Sequence, residues 1–232
     1  MNKIPNVIQN MIPKKIQLTD KSYVLKYTPT ESIVDYIKVN FNEIFNLHPN
    51  QKGAGETTLK SKIMLYNKNP NNPEWNEMET NRWFESYLKT PDFTKSIKKS
   101  YMFSGSDKLE LKQDLPEIVK PIYDYVRQID PRYNQVVINW YNGDDYIPQH
   151  SDWTDGMIDN YNIGILSMYN DNSHRYLDVV NKQTNEKTSI PMENGSLLLM
   201  CGQFQNEFRH GIKKTENPNS KRIGISFRQY AE

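Results

Sequence analysis

A single cysteine, Cys201, stands among 232 residues, so the chain can build neither an internal disulfide framework nor a cysteine-paired structural zinc site. Net charge is nearly absent as well. With 29 lysines and arginines against 28 aspartates and glutamates, strong non-specific attraction to nucleic acid or to an anionic membrane is excluded, and any such contact must be local. The opening segment MNKIPNVIQNMIPKK holds no apolar run long enough for a signal peptide or a membrane span, so an intracellular, soluble protein is expected. No internal repeat, low-complexity tract or linker divides the chain, which predicts one domain over 1–232. Hydrophobic content is low at 36%, yet 15 Tyr, 8 Phe and 4 Trp offer large burial areas, so the chain is expected to fold.

What is present falls into two textures. From about 30 to 130 the reading is helical: TESIVDYIKVNFNEIF carries Ile33, Tyr36, Ile37, Phe41 and Ile44 at helical spacing, with Thr30 as N-cap. PEIVKPIYDYVRQID returns to that spacing, and Pro121 either kinks it or begins a second segment. GAGETT and NKNPNNPEW between them read as loops. From about 134 the period changes to two. NQVVINWY, YNIGILSMY, RYLDVVN, KTSIPM, GSLLLMCG and KRIGISFRQY are β-branched or aromatic-rich and separated by turn signals such as Asn142-Gly143 and Asn194-Gly195, which suits a β-sandwich or barrel.

Within INWYNGDDYIPQHSDW, His150 and Asp152 are two residues apart, so on an extended segment both side chains leave one face and can converge on one ion. Histidine is scarce, with four in the chain, and His210 is the best third ligand because it follows the apolar strand GSLLLMCG at a strand end. His174, in the turn NDNSHR, and His48, before Pro49, suit a solvated surface. Two histidines and one carboxylate with open positions suit non-haem Fe(II) oxygenases. Zinc fits the same ligand types.

In RIGISFR, strand alternation puts Arg222, Gly224, Ser226 and Arg228 on one face and Ile223, Ile225 and Phe227 on the other. Six residues span roughly 20 Å at about 3.3 Å each, so the two arginines could reach opposite ends of a small dicarboxylate. Arg suits that task because its planar fork binds carboxylate bidentately and keeps its charge when buried. Asn139 and Tyr141 share a face of VVINWY and offer an amide and a phenol without adding charge.

Together these residues resemble the AlkB family of 2-oxoglutarate- and Fe(II)-dependent dioxygenases over about 132 to 230. RYNQVVINWYNGDDYIPQHSD is similar to the family's run from N-x-Y through G-x-D to H-x-D, and R-x-x-x-S-F-R is similar to its R-x-N-x-T-x-R. The resemblance implies His150, Asp152 and His210 as iron ligands, and Asn139, Tyr141, Arg222 and Arg228 as contacts to 2-oxoglutarate, with O2 as the further cosubstrate. Gly224 replaces the family's usual Asn, so that contact is expected to be lost or replaced by water or backbone; Ser226 for Thr is a milder change.

The implied fold is mainly β, a double-stranded β-helix or jelly roll with buttressing helices. Residues 1–130 would supply N-terminal helices and a substrate lid, and 131–232 the catalytic core. The implied activity is oxidative demethylation of N-alkylated bases in nucleic acid: the carbon on nitrogen is hydroxylated and the adduct collapses to aldehyde and free base. The alternatives are a protein or small-molecule hydroxylase with the same cofactors, and an inactive jelly-roll binding module. Trp75, Trp83 and Tyr101 are candidates to cover the site, and an extruded base would need such faces for stacking. KTPDFTKSIKKS, 89–100, could meet phosphates, and YMFSG, 101–105, echoes an aromatic-Ser-Gly stretch of the family. The expected partners are 2-oxoglutarate and a nucleic-acid substrate, with no membrane, the chain acting as a monomer.

Overall fold

The computed structural model describes residues 4, 11–50, 52–54, 60–65, 74–79, 82–88, 111–112, 114–154 and 156–231. The elements run β1 Lys14–Gln17, β2 Ser22–Tyr27, α1 Glu31–Phe45, β3 Gly53–Ala54, β4 Lys60–Leu65, β5 Glu74–Glu79, β6 Trp83–Leu88 and β7 Leu111–Lys112. There follow α2 Lys120–Ile129, β8 Gln135–Tyr141, β9 Ile147–His150, β10 Asn162–Tyr169, β11 Arg175–Asn181, β12 Lys187–Met192, β13 Leu197–Gly202, α3 Phe204–Glu207, β14 Phe208–Ile212 and β15 Arg222–Arg228.

Two sheets carry the architecture. The larger has the order β1-β2-β13-β10-β15-β8-β6-β3, with β7 also on β6, and the smaller is β12-β11-β14-β9. Strand alternation divides the apolar residues into two cores. Val136, Ile138, Trp140, Ile223, Ile225 and Phe227 of the larger sheet pack with Ile33, Ile37, Phe41 and Ile44 of α1 and with Ile122 and Val126 of α2. On the other face, Ile163, Ile165, Leu198 and Met200 meet Leu177, Val179, Ile190 and Ile212 of the smaller sheet. This is a jelly roll whose larger sheet is backed by helices, as expected from the sequence.

Local chemistry explains the helix ends. Thr30 caps α1 by accepting a hydrogen bond from the Ile33 amide at 3.4 Å. Pro121 lies in the first turn of α2, where a missing N–H costs nothing, so it begins that helix rather than kinking it. The Trp140 indole donates to the Ile44 carbonyl at 2.9 Å and ties α1 to the sheet.

The helical reading of 30–130 needs correction between the two helices. Gly53–Ala54, placed in a loop by its glycine, is a strand beside β6; Glu74 and Trp75, read as loop, open β5; and Trp83–Leu88 extends the larger sheet next to β8. Short strands with few β-branched residues give little local signal, and pairing with an existing sheet edge decides them. β1 and β2 likewise join the larger sheet through β13.

Asp130 closes the C-terminal end of α2 against the sheet. It is 8% exposed and accepts from Arg132 Nη2 at 2.6 Å, Gln229 Nε2 at 2.7 Å and Asn162 Nδ2 at 3.0 Å. Burial opposes its ionised form, but these donors outweigh burial and draw its pKa down to about 2. Because the folded value lies below the unfolded one, the stabilisation is full above about pH 4 and is lost as pH falls through about 2, amounting to about 2 kcal/mol. Asp130→Asn is therefore expected to melt about 4–8 °C below wild type at pH 7, with the gap narrowing in acid. Equal thermal denaturation curves at neutral pH would show that the network contributes nothing.

Candidate active site

β14 and β9 pair so that His210 stands opposite His150, with ring centroids 4.4 Å apart. Asp152 follows β9, and the ligand atoms of the three residues all lie within 4.8 Å of one another. His210 Nε2 is 3.4 Å from Asp152 Oδ2. The Pro148 carbonyl lies 2.8 Å from His150 Nδ1; as a carbonyl can only accept, Nδ1 carries the proton and Nε2 keeps its lone pair for an ion. Burial lowers the pKa of both histidines, His210 to about 3, so both are neutral at pH 7, the state in which imidazole binds metal. Burial works against the Asp152 carboxylate, but Arg228, at 2.7 Å, holds it ionised.

The loop bearing Asp152 is braced from the far side. Its backbone amide donates to Gln205 Oε1 at 2.9 Å, and the Ser151 hydroxyl donates to the Phe208 carbonyl at 2.7 Å. The short helix α3 and the start of β14 thus fix the carboxylate relative to His210.

The cavity beside these ligands is lined by Asn139, Tyr141, Arg222, Gly224, Ser226 and Arg228 together with the three ligand candidates and apolar residues of both sheets. The register places Arg222 opposite Tyr141 and Gly224 opposite Asn139. The seven site residues read from the sequence therefore meet in one place. Arg228 stands next to Asp152, whereas Arg222 lies deeper, wholly buried, donating from Nη2 to Ser167 Oγ at 3.1 Å, with its guanidinium carbon 4.8 Å from the centre of the Tyr141 ring. Nε and Nη1 of Arg222 have no hydrogen-bond partner among the described residues.

Gly224 accounts for the position of Arg222. A Cβ built on it would lie 2.6 Å from Arg222 Nη1 and 2.9 Å from Cζ, so the guanidinium occupies the room that a side chain at 224 would take. The space that an Asn side chain would take is filled by the arginine itself.

Three residues that sequence reasoning missed surround this wall. Arg82, 3% exposed, donates from Nε to Asn139 Oδ1 at 3.1 Å. Arg175, 4% exposed, spans the carbonyls of Asp145 and Asn142, each at 2.6 Å, and its guanidinium carbon is 5.5 Å from the Tyr141 ring centre. Burial and then Arg222 lower the Arg175 pKa to about 10. Asp145, paired with Lys52 at 2.6 Å, is the nearby carboxylate. Four buried arginines, 82, 175, 222 and 228, thus stand around a cavity whose nearby described carboxylates are Asp145 and Asp152, a balance suited to an anionic ligand. Arg82 was detectable in principle, since it shares period two with Phe84 and Ser86 in RWFES, but only the pairing of Phe84 with Asn139 shows which face that is.

Trp83, expected to cover the site, faces the other way. It pairs with Trp140, packs with the helix-side core and stacks on His48 with centroids 4.4 Å apart. The side chain of Trp75, all of Tyr101, and the segments 89–100 and 101–105 lie outside the described residues. His174 is at the surface beside the Tyr176 hydroxyl.

A jelly roll holding two histidines and one carboxylate at one end of an arginine-lined cavity defines the class of non-haem Fe(II) oxygenases. Residues 60–228 match the sequence model of the 2OG-Fe(II) oxygenase superfamily, and the chain belongs to that superfamily. Its cofactors are accordingly Fe(II) and 2-oxoglutarate. The fold is similar to that of the solved structure OsALKBH1, an AlkB homologue, with a TM-score of 0.52 and 12% identity over 94% of this chain and 100% of that one. The chain is also 30% identical over 121 residues to the uncharacterised protein R406 of Acanthamoeba polyphaga mimivirus, 51% of this chain and 56% of that protein's length. No helix among the described residues is long and apolar enough to cross a membrane.

The site fits the two cofactors on its own chemistry. The neutral imidazoles and the ionised carboxylate are the donor set that Fe(II) takes. The buried Arg222 keeps Nε and Nη1, donors on opposite flanks of its guanidinium, without a partner among the described residues, donor capacity left for an anionic ligand.

Proposed function

We propose that the protein is a dioxygenase in which His150 Nε2, Asp152 and His210 hold Fe(II), and Asn139, Tyr141, Arg222 and Arg228 hold 2-oxoglutarate, for oxidative demethylation of N-alkylated bases in nucleic acid. The observation that carries the cofactor assignment is the Arg222 guanidinium, fully buried in the same cavity as the three ligand candidates, with Nε and Nη1 unpartnered among the described residues. Fe(II) and 2-oxoglutarate, when bound, supply with O2 the oxidant that hydroxylates the carbon on nitrogen.

The chain's own residues do the remaining work. Arg228, 2.7 Å from Asp152, is placed to take the end of the dicarboxylate beside the metal, and Arg222 the distal end, which sets the polarity of the ligand. Asp152, held ionised, and the two neutral histidines keep the donor set ready at neutral pH. Apolar Ile147, Ile165, Leu177 and Ile212 line the same cavity and exclude water from it.

The nucleobase as substrate class is supported by the AlkB-like fold. The near-neutral charge, 29 against 28, favours the second reading, a protein or small-molecule substrate for the same chemistry. An inactive binding module is disfavoured by the convergence of all seven residues.

The test is formaldehyde release from N-methylated single-stranded oligonucleotides, compared with unmodified strands and an N-methylated peptide, with Asp152→Ala as control. Release from the methylated strands alone, abolished in the variant, is the expected result. Release confined to the peptide would move the assignment to the second reading.

A further inference from the structure

Arg82 stands beside the cavity wall: the cavity is lined by Asn139 and Tyr141, and the register that sets Trp83 against Trp140 and Phe84 against Asn139 brings Arg82 alongside them on the same face. Its Nε is 3.1 Å from Asn139 Oδ1, and the residue is 3% exposed. An arginine has donors and no acceptor. The atom of Asn139 that faces it must therefore be the carbonyl oxygen. A side-chain amide is otherwise ambivalent, able to present donor or acceptor to a ligand.

We propose that Arg82 is a positioning residue that sets the hydrogen-bond polarity of the cosubstrate pocket: by engaging the oxygen of Asn139, it leaves the Asn139 amide N–H groups to point at a carboxylate. The inference rests on the reading of the cavity as a 2-oxoglutarate site. It goes beyond that reading by explaining how a neutral side chain becomes an obligatory donor to an anion, which a freely flipping amide would not be.

Arg82 also has a reason to be arginine rather than lysine. The Nε–H of its planar guanidinium is a directed donor held against the Asn139 oxygen, whereas a point-charge ammonium on a flexible stem does not fix the amide in one orientation. Phe84, whose ring centre is 5.3 Å from the guanidinium carbon, packs against it and restricts its rotamer.

The test is calorimetric titration of 2-oxoglutarate into the full chain loaded with Mn(II), a redox-silent stand-in for iron, with Mn(II) affinity and thermal denaturation measured on the same samples. Arg82→Lys is expected to weaken 2-oxoglutarate binding roughly tenfold to a hundredfold with Mn(II) affinity unchanged, and Asn139→Ala should cost far less in that background than in wild type, because the amide is no longer oriented. Asn139→Asp keeps an oxygen for Arg82 and so keeps the fold, but it turns an acceptor toward the ligand; it is expected to bind about tenfold or more weakly than Asn139→Ala. This variant decides the matter if Arg82→Lys does not fold. Arg82→Lys within about threefold of wild type, or Asn139→Asp binding as well as Asn139→Ala, overturns the role of Arg82 alone. A wild-type chain that binds Mn(II) but no 2-oxoglutarate overturns the reading of the pocket, and the role of Arg82 with it.

Discussion

His210→Ala is expected to lower Fe(II) affinity by more than about a hundredfold and to abolish turnover. Loss of a residue that merely orients a metal ligand typically costs about 10–100-fold in affinity, and His210 is placed as a ligand itself, with Nε2 3.4 Å from Asp152 Oδ2 and its ring 4.4 Å from that of His150. Two remaining ligands cannot enclose the ion, and no other histidine is near: among the described residues the metal-competent cluster consists of His150, Asp152 and His210. The fold should survive, because Phe204, which packs beside the imidazole, and Phe208, which packs on Phe204, belong to the inter-sheet core independently of it. Anaerobic titration of the chain with Fe(II) against a chelating indicator measures the effect. A variant that retains one tightly bound iron per chain would remove His210 from the ligand set.

Arg222→Lys and Arg228→Lys are expected to fail differently. Arg222 keeps two donor nitrogens inside the cavity without a partner among the described residues, so its replacement leaves a carboxylate facing a point charge that cannot reproduce the fork. Breaking a buried pair costs roughly 3 to 5 kcal/mol, which corresponds to two to nearly four powers of ten in 2-oxoglutarate affinity at about 1.4 kcal/mol per decade. Metal affinity should not change, because Arg222 touches Ser167 and Tyr141 rather than a ligand candidate. Arg228 donates to Asp152 at 2.7 Å, so Arg228→Lys should weaken the metal and the cosubstrate together. Gly224→Ala should imitate Arg222→Lys in kind, since its Cβ would meet Nη1 at 2.6 Å and push the guanidinium off Ser167. Parallel titrations of metal and 2-oxoglutarate, with circular dichroism to verify folding, separate the cases. If both lysine variants bound 2-oxoglutarate within about threefold of wild type, the strand would be an ordinary amphipathic one.

The shared face of Arg222 and Arg228 was legible in the sequence because it rests on strand alternation, a property of a few consecutive residues, and the His150–Asp152 pair was legible from its two-residue spacing, although Asp152 lies just past the end of β9. Helix α1 was legible for the same reason: Thr30 and the spacing of Ile33, Ile37, Phe41 and Ile44 carry its cap and its buried face within one turn after another. What joins distant segments was not local. That Trp83 packs on the helices, and that Arg82 reaches Asn139 on the other face of the strand pair, depends on β6 pairing with β8 in a register in which Phe84 meets Asn139; a slip of one residue would exchange the two faces.

The meaning of Gly224 was likewise invisible as a letter. In the sequence it is a missing side chain, and only the folded strand shows the Arg222 guanidinium lying in that space. Alternation along the chain thus determined by itself which side chains could share a site. Sheet pairing and burial in the tertiary structure decided which neighbours complete it, because a partner's identity depends on register across strands far apart in sequence, and an unpartnered charge is apparent only once the surrounding groups are in place.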